Sequence, residues 1–298
     1  MSTIEGPLGV ECTGLALRYG RVRALDGLDL RIEPGESVGI VGRNGAGKST
    51  LFRCIVGAET PDAGAARTIP PLPRVPMLER TGFVPDALSA YDWMRVRDAI
   101  AFVESLQPRF DPEWCEQLVA MLALDPAARV QSLSRGMQAR LAFVLGLSHR
   151  PALLLLDEPL LGVDAVTHDA ILEMLARLRA ESGCTMLIAS HQLGDLARLT
   201  DRVVFLERGR IRESVPTEEL SGGTARLVVA GPLEAWRAPE GTIFERRESA
   251  TVTITVGGDI EGAILDIRAR QPHARIERIP LSIAEACADR MRALEVQA

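Results

Sequence analysis

The chain has 298 residues, 47 % hydrophobic and 25 % charged, enough apolar material for one large or two ordinary domains and incompatible with global disorder. Its net charge of −6 and pI of about 5.4 argue against nucleic acid as the main partner, because the arginines are spread along the sequence rather than gathered into blocks. The five cysteines, Cys12, Cys54, Cys115, Cys184 and Cys287, lie far apart in neither a metal-type pair nor an even disulfide framework, so a reducing cytoplasm is expected. The N-terminal stretch combines no basic start with an apolar run, so no secretory signal is expected. No apolar run approaches the roughly 18 residues needed to cross a bilayer, and any membrane role would be borrowed from a partner.

Alternation predicts strands at Leu15 to Tyr19, Leu28 to Ile32 and Ser37 to Val41, with Pro34-Gly35 as a turn. A helix from Thr50 to Val56, closed by Gly57, follows, and the proline-rich stretch from Pro61 to Pro76 reads as loop. Residues 92–148 read as mostly helical, with Trp93, Val96, Ile100 and Val103 on one apolar face and a second helix from Pro112 to Leu124. Ala152 to Leu156 and Thr185 to Ala189 are all-apolar runs of the kind buried on both faces of a parallel sheet, separated by a helix from Ala165 to Ser182. Val203 to Leu206 pairs with Ile211 across Arg208-Gly209. Beyond Ser221-Gly222-Gly223 the character changes. Strands at Ala225 to Ala230, Thr251 to Val256 and Arg275 to Ile279, with helices at Ile260 to Arg270 and from Ser282, predict a small α+β unit over 223–298.

The 34 basic side chains include a single lysine, Lys48, inside Gly42-Arg43-Asn44-Gly45-Ala46-Gly47-Lys48-Ser49-Thr50. This spacing fits the phosphate-binding loop G-x-x-x-x-G-K-[ST]. Its glycines let backbone N–H groups turn inward as an anion nest, Lys48 reaches the β/γ-phosphates, and the Ser49 hydroxyl serves Mg²⁺. A glycine-rich turn that merely joins strand to helix is the plainer alternative. Ligands of open α/β sheets bind beyond the carboxyl ends of strands, and two more apolar strands end in Asp157-Glu158-Pro159 and Ser190-His191. Asp157 would hold Mg²⁺ through its water shell and Glu158 would take a proton from attacking water. Taken singly, the acids could be solvated turn residues and His191 an ordinary imidazole.

Leu133-Ser134-Arg135-Gly136-Met137-Gln138, upstream of Asp157-Glu158, resembles the LSxGM variant of the signature of ABC transporter ATP-binding subunits, and the likeness spans roughly residues 10–220. The resemblance implies an α/β fold, a P-loop NTPase of the ABC ATPase type with a mostly parallel core sheet, N-terminal antiparallel strands and a helical subdomain at about 88–148, over residues 1–222. It also implies ATP and Mg²⁺ as ligands, and a head-to-tail homodimer or heterodimer in which ATP lies between Lys48 of one copy and Ser134 and Gly136 of the other. ATP hydrolysis would then energise a separate integral-membrane permease from the inner face of the cell membrane. His191 reads as catalytic from its place at a strand end in this set; by the likeness Tyr19 stacks on adenine, although Tyr19 alone reads as a half-buried strand residue and Ser134 as a simple helix cap. With Tyr91-Asp92-Trp93-Met94, the LSxGM variant is similar to exporter-type subunits.

Three positions depart from the family pattern. Asp86 follows Gly82-Phe83-Val84-Pro85 where glutamine is usual, Arg135 replaces a glycine, and Leu161 replaces a serine before Gly162-Val163-Asp164. Asp86 is expected to face the metal and still couple the site to the membrane partner, with altered Mg²⁺ dependence. The competing readings are a soluble ABC ATPase acting on nucleic acid or ribosomes and a small-molecule kinase. The first usually carries coiled-coil arms, zinc cysteine pairs or two cassettes, and the second lacks the Leu133 to Gln138 motif. The tail from 223 is either a regulatory or dimer-contact extension or a packing appendage.

Overall fold

The computed structural model describes residues 6–88, 90–191, 194–231, 233 and 236–296, with side chains for all but Asp195, Leu196 and Val296. The chain opens with β1 (Gly9–Tyr19) and β2 (Val22–Ile32), antiparallel and joined through a tight turn. β3 (Ser37–Val41) is buried along its whole length and feeds α1 (Lys48–Ile55). β4 (Ala63–Ile69) then pairs with β1, with Val10 opposite Thr68. This strand lies where the sequence reads as loop. Its alanines have poor intrinsic strand preference, and pairing with β1 overrides it. A short α2 (Arg74–Leu78) and β5 (Thr81–Val84) follow.

The helical layer comprises α3 (Val96–Leu106), α4 (Pro112–Met121) and α5 (Arg135–Leu147). Asp111 caps α4 by accepting the Trp114 N–H at 3.0 Å, with Pro112 as its first helical residue. Trp93 precedes α3 and is 67 % exposed, stacked on Tyr91 at 5.7 Å between ring centres, so it does not share the apolar face of Val96. β6 (Leu153–Asp157), α6 (Ala165–Ser182) and β7 (Thr185–Ser190) fall where their patterns predict. Asp164 caps α6 through the Thr167 N–H, and Gly183 ends it at φ 64°. A 3-10 turn (Gly194–Leu199) leads into the hairpin of β8 (Arg202–Glu207) and β9 (Arg210–Pro216).

Six strands form the central sheet in the order β5-β6-β7-β3-β8-β9, parallel except for the last pair. β3, β6 and β7 are buried throughout, which is why they read as unbroken apolar runs. One face packs on β1, β2 and α1, and the other on the α5 and α6 side.

After α7 (Thr217–Gly222) a four-stranded antiparallel sheet forms in the order β11-β12-β10-β13, from β10 (Thr224–Ala230), β11 (Thr242–Glu248), β12 (Thr251–Gly257) and β13 (Arg275–Pro280). β11 is an edge strand with charged Glu245, Arg246, Arg247 and Glu248. Such charges protect an edge from further pairing and hide it from an alternation test. α8 (Ile260–Arg270) closes the small core of this sheet. The last helix, α9 (Ile283–Val296), starts with a reciprocal cap. The Ser282 N–H donates to Glu285 at 3.0 Å, and the Glu285 N–H donates to the Ser282 hydroxyl at 3.3 Å. It bridges the small sheet and the main core, where Ala286 and Cys287 join the cluster of Phe205, Val215 and Leu220.

His149, between α5 and β6, is buried, and desolvation pushes its imidazole down from 6.5 to about 4, with Arg109 adding to this and the Thr81 backbone opposing it. The unfolded chain therefore binds this proton first as pH falls. The stability tied to neutral His149 is complete above about pH 6.5 and is lost as the pH drops toward about 4. Urea midpoints between pH 4.5 and 7 should rise with pH in the wild type and rise less steeply in His149→Leu. Equal slopes would contradict this assignment.

Candidate nucleotide site

The ends of β3, β6 and β7 meet because the three strands are adjacent and parallel in register, with Val41 opposite Ser190 and Asp157 opposite Ala189. β3 delivers the glycine-rich loop. Gly45 and Gly47 have φ of 82° and 111°, in the left-handed region where glycine is favoured, and a Cβ on Gly47 would stand 2.4 Å from the Ala24 carbonyl. The loop opens α1, whose N-terminus has no side-chain cap. Lys48 is only 6 % exposed, and its ammonium donates to the Gly42 carbonyl at 2.7 Å and the Arg43 carbonyl at 3.4 Å.

Glu158 is the meeting point. One carboxylate oxygen lies 3.3 Å from the Lys48 ammonium; the other accepts the Ser190 hydroxyl at 3.1 Å and lies 2.9 Å from His191 Nδ1. Its backbone adopts φ 47° and donates its N–H to the Ala189 carbonyl at 2.8 Å. Lys48, Glu158 and His191, from three different strand ends, therefore form one continuous polar contact.

Asp157 is 1 % exposed, and its Oδ1 has no hydrogen-bond partner. Burial raises its pKa; the Ser49 hydroxyl opposes this by hydrogen bonding, Asp86 and Glu158 raise it further, and Lys48 lowers it. An orphaned carboxylate oxygen beside a hydroxyl is a hard-oxygen donor set that fits Mg²⁺, which keeps several waters and takes phosphate oxygens. Among the described residues no cluster of three or more His, Cys, Asp or Glu side chains could hold a metal ion. Asp86 is exposed on the loop after β5, close enough for its charge to act on Asp157.

Tyr19 ends β1, partly exposed, with hydrogen bonds involving Glu59, Thr50 and Arg53; burial and Glu59 raise its pKa. Thr50, on α1, is buried. Ser134 caps α5, its hydroxyl accepting the Met137 N–H at 3.2 Å, and is itself exposed. Gly136 packs on the backbone of Gly162, where a Cβ would stand 2.8 Å from the carbonyl oxygen. Ser134 does not line the cleft that contains Glu158 and His191. Arg135 and Gln138 line a second cleft, with Asp86, Glu158 and Leu161.

The first cleft encloses about 910 Å³, between Val41 to Asn44, Glu158, Leu160, Leu161, Ser190 and His191 on one side and α9 on the other. The α9 wall includes Cys287, Met291, Arg292 and Glu295, and Glu295 accepts from the Arg43 guanidinium at 2.9 Å. Sequence reasoning missed this wall. The spacing of α9 predicts a helix, but nothing in it names the surface that helix covers.

The sequence profile of the family described as ABC transporter matches residues 25–161. The aliphatic sulfonates import ATP-binding protein SsuB 2 of Xanthomonas axonopodis pv. citri is 36 % identical over 215 residues, covering 71 % of this chain and 72 % of its own. The methionine import ATP-binding protein MetN of Mesorhizobium japonicum is 34 % identical over 219 residues, 70 % of this chain, which spans 60 % of that relative's length. The dimeric ATP-binding cassette MJ0796, in a post-hydrolysis state with ADP and Pi, matches with a TM-score of 0.61 at 22 % identity. That match covers 70 % of this chain and 98 % of the other and, at this identity, shows the fold alone. The names of the two relatives refer to import and do not support the exporter-type likeness of the LSxGM variant. Phosphate loop, acidic strand end and intervening helices all fall within the matched residues, and the chain belongs to the family of ABC transporter ATP-binding proteins.

Proposed function

We propose that the chain binds ATP at the Lys48–Glu158–His191 site, hydrolyses it, and thereby drives a separate membrane subunit from the cytoplasmic side. The observation that carries this is the contact of Lys48, Glu158 and His191 at the ends of three adjacent parallel strands. The Lys48 ammonium, satisfied by the Gly42 and Arg43 carbonyls, is positioned to exchange these partners for phosphate oxygens. The N-terminus of α1, which has no side-chain cap, adds backbone N–H groups suited to an anion at the same loop.

In the hydrolytic step a water oxygen bonds to the γ-phosphorus, the bond to the leaving ADP oxygen breaks, and the water's proton passes to Glu158. Ser190 and His191 hold one Glu158 oxygen, which fixes where the carboxylate points. Asp157 and Ser49 are the residues that would hold Mg²⁺, which when bound neutralises phosphate charge. Asp86 contributes negative charge to that region. Tyr19, close to Thr50, is proposed as the adenine-facing aromatic. Ser134 and Gly136, which do not line the cleft of Glu158 and His191 in their own copy, are proposed to meet the triphosphate bound to a second copy. A boundary between the ATPase region and the tail near 222 is part of this proposal, supported by the start of the antiparallel sheet at Thr224. The names of the relatives favour transport over action on nucleic acid. No helix among the described residues is long and apolar enough to cross a membrane, in keeping with a separate membrane partner.

Two substitutions separate the steps. Lys48→Ala should abolish tight ATP binding, measured with a fluorescent ATP analogue. Glu158→Gln should keep binding but lower turnover about 10²- to 10⁴-fold and accumulate an ATP-held dimer, read by phosphate release and size-exclusion chromatography. Turnover in Glu158→Gln equal to wild type rules out this base.

Asp86 gives a second test. Its charge acts on Asp157, so Asp86→Gln removes negative charge from the metal-facing region. The Mg²⁺ concentration for half-maximal ATPase should rise roughly two- to fivefold, as expected for the loss of one nearby charge in a partly solvated site. An unchanged Mg²⁺ response in both Asp86→Gln and Asp86→Ala refutes the role.

A further inference from the structure

The tail helix α9 is held in two different ways along its length. Its first half is locked: Ala286 and Cys287 are buried in the main core, and Asp289, 1 % exposed, bonds Arg226 at 2.7 Å and the Thr255 hydroxyl at 2.6 Å. Arg290, also buried, pairs with Glu219 at 2.8 Å and with Glu213, which ties the helix to α7 and β9. Asp289 and Arg290 thus fasten one face of the helix to the small sheet and the other to the cassette.

Beyond Arg290 burial becomes partial: Met291 and Leu294 are half-buried against the main core, and the charged contacts lie at the surface. Arg292 pairs back onto Asp289 of its own helix. Among the described residues, the charged link from this end to the cassette is Glu295 to Arg43, at 2.9 Å, between side chains that are 40 % and 72 % exposed. A pair this exposed contributes at most modestly and is screened by salt. Yet its location is unusual. Arg43 lies within the phosphate loop, and the cleft that α9 closes is the one lined by Glu158 and His191.

A triphosphate entering this loop brings several negative charges beside a carboxylate that is already paired with the loop's arginine. It competes with Glu295 for Arg43 and repels Glu295 directly. We propose that α9 is a strap across the nucleotide cleft, fastened by Glu295 on Arg43 and released at its tip by ATP, so that the tail sets the ATP concentration at which two copies join. This rests on the ATP-held dimer of the preceding subsection. The fully buried first half stays in place, and the half-buried last turns, from Met291 to Glu295, are the part that moves.

The test uses full-length Glu158→Gln protein, in which hydrolysis is blocked, with Mg²⁺ and graded ATP. The ATP concentration for half-maximal dimerisation is read by sedimentation. Adding Glu295→Gln should lower it about two- to fivefold at low salt, the range expected for an exposed ion pair, and the difference should shrink at high salt. Glu295→Arg, which repels Arg43 and attracts phosphate, should lower it further. Hydrogen exchange over residues 288–296 should accelerate when ATP is added to the Glu158→Gln protein. If Glu158→Gln dimerises with ATP but neither Glu295 variant shifts the midpoint, or exchange of the tail does not change, the strap is rejected and the ATP-held dimer stands. If no variant dimerises at millimolar ATP, the dimer reading fails and the strap with it.

Discussion

At the end of β6 the chain turns through Glu158 in a left-handed conformation that a side chain other than glycine seldom adopts, and this turn decides where the carboxylate lies. Such a backbone costs about 1–3 kcal/mol and persists only where its surroundings over-determine it. Here they do. The Glu158 N–H is bonded to β7, one carboxylate oxygen is held by Ser190 and His191, and the other faces the Lys48 ammonium. The residue that follows β6 is thereby tied to the end of β7 and to the helix that opens beyond β3. The rest of the site takes its position from that connection.

The connection depends on the order and direction of the central strands. β7 sits between β6 and β3, and all three run parallel, so their carboxyl ends open on the same edge. Close packing then leaves the loop little freedom. A Cβ on Gly42 would stand 2.4 Å from the Leu206 carbonyl of β8, so only glycine lets β3 deliver the loop so close to β8. The same burial that orders the strands leaves Asp157 in a poorly solvated place, with an oxygen lacking a hydrogen-bond partner and a raised pKa. This is a poor arrangement for stability alone and an effective one for gripping a hydrated cation.

The tail extends the argument from chemistry to control. Buried ion pairs such as Arg226–Asp289 contribute less to net stability than their Coulomb attraction suggests, because both charges lose water. Their consequence here is placement. With Arg290 on Glu213 and Glu219, they hold α9 across two sheets and aim its end at the phosphate loop. A helix locked at one end and weakly paired at the other resembles the low-stability elements from which moving parts are drawn.

Much of the chemistry was legible in the chain itself. The loop around Lys48, the Asp157–Glu158 pair and His191 each stand at the end of an apolar run, and buried parallel strands require such runs. The ranges expected for α6 and α8 match the structure to the residue. Trp93 misled, because a periodic apolar residue can as readily stack on Tyr91 at the surface as join a helix face. β4 and β11 escaped because they are edge strands, one rich in alanine and the other in charge, and both gain their structure from a partner strand. Sequence by itself determined the glycine and lysine spacing of the loop now proposed to cradle a triphosphate, since local spacing and backbone freedom are written in the chain. Only the tertiary structure decided that Glu158 bridges Lys48 and His191, and that α9 closes over the same cleft. Both depend on contacts between segments far apart in the chain, which no local pattern encodes.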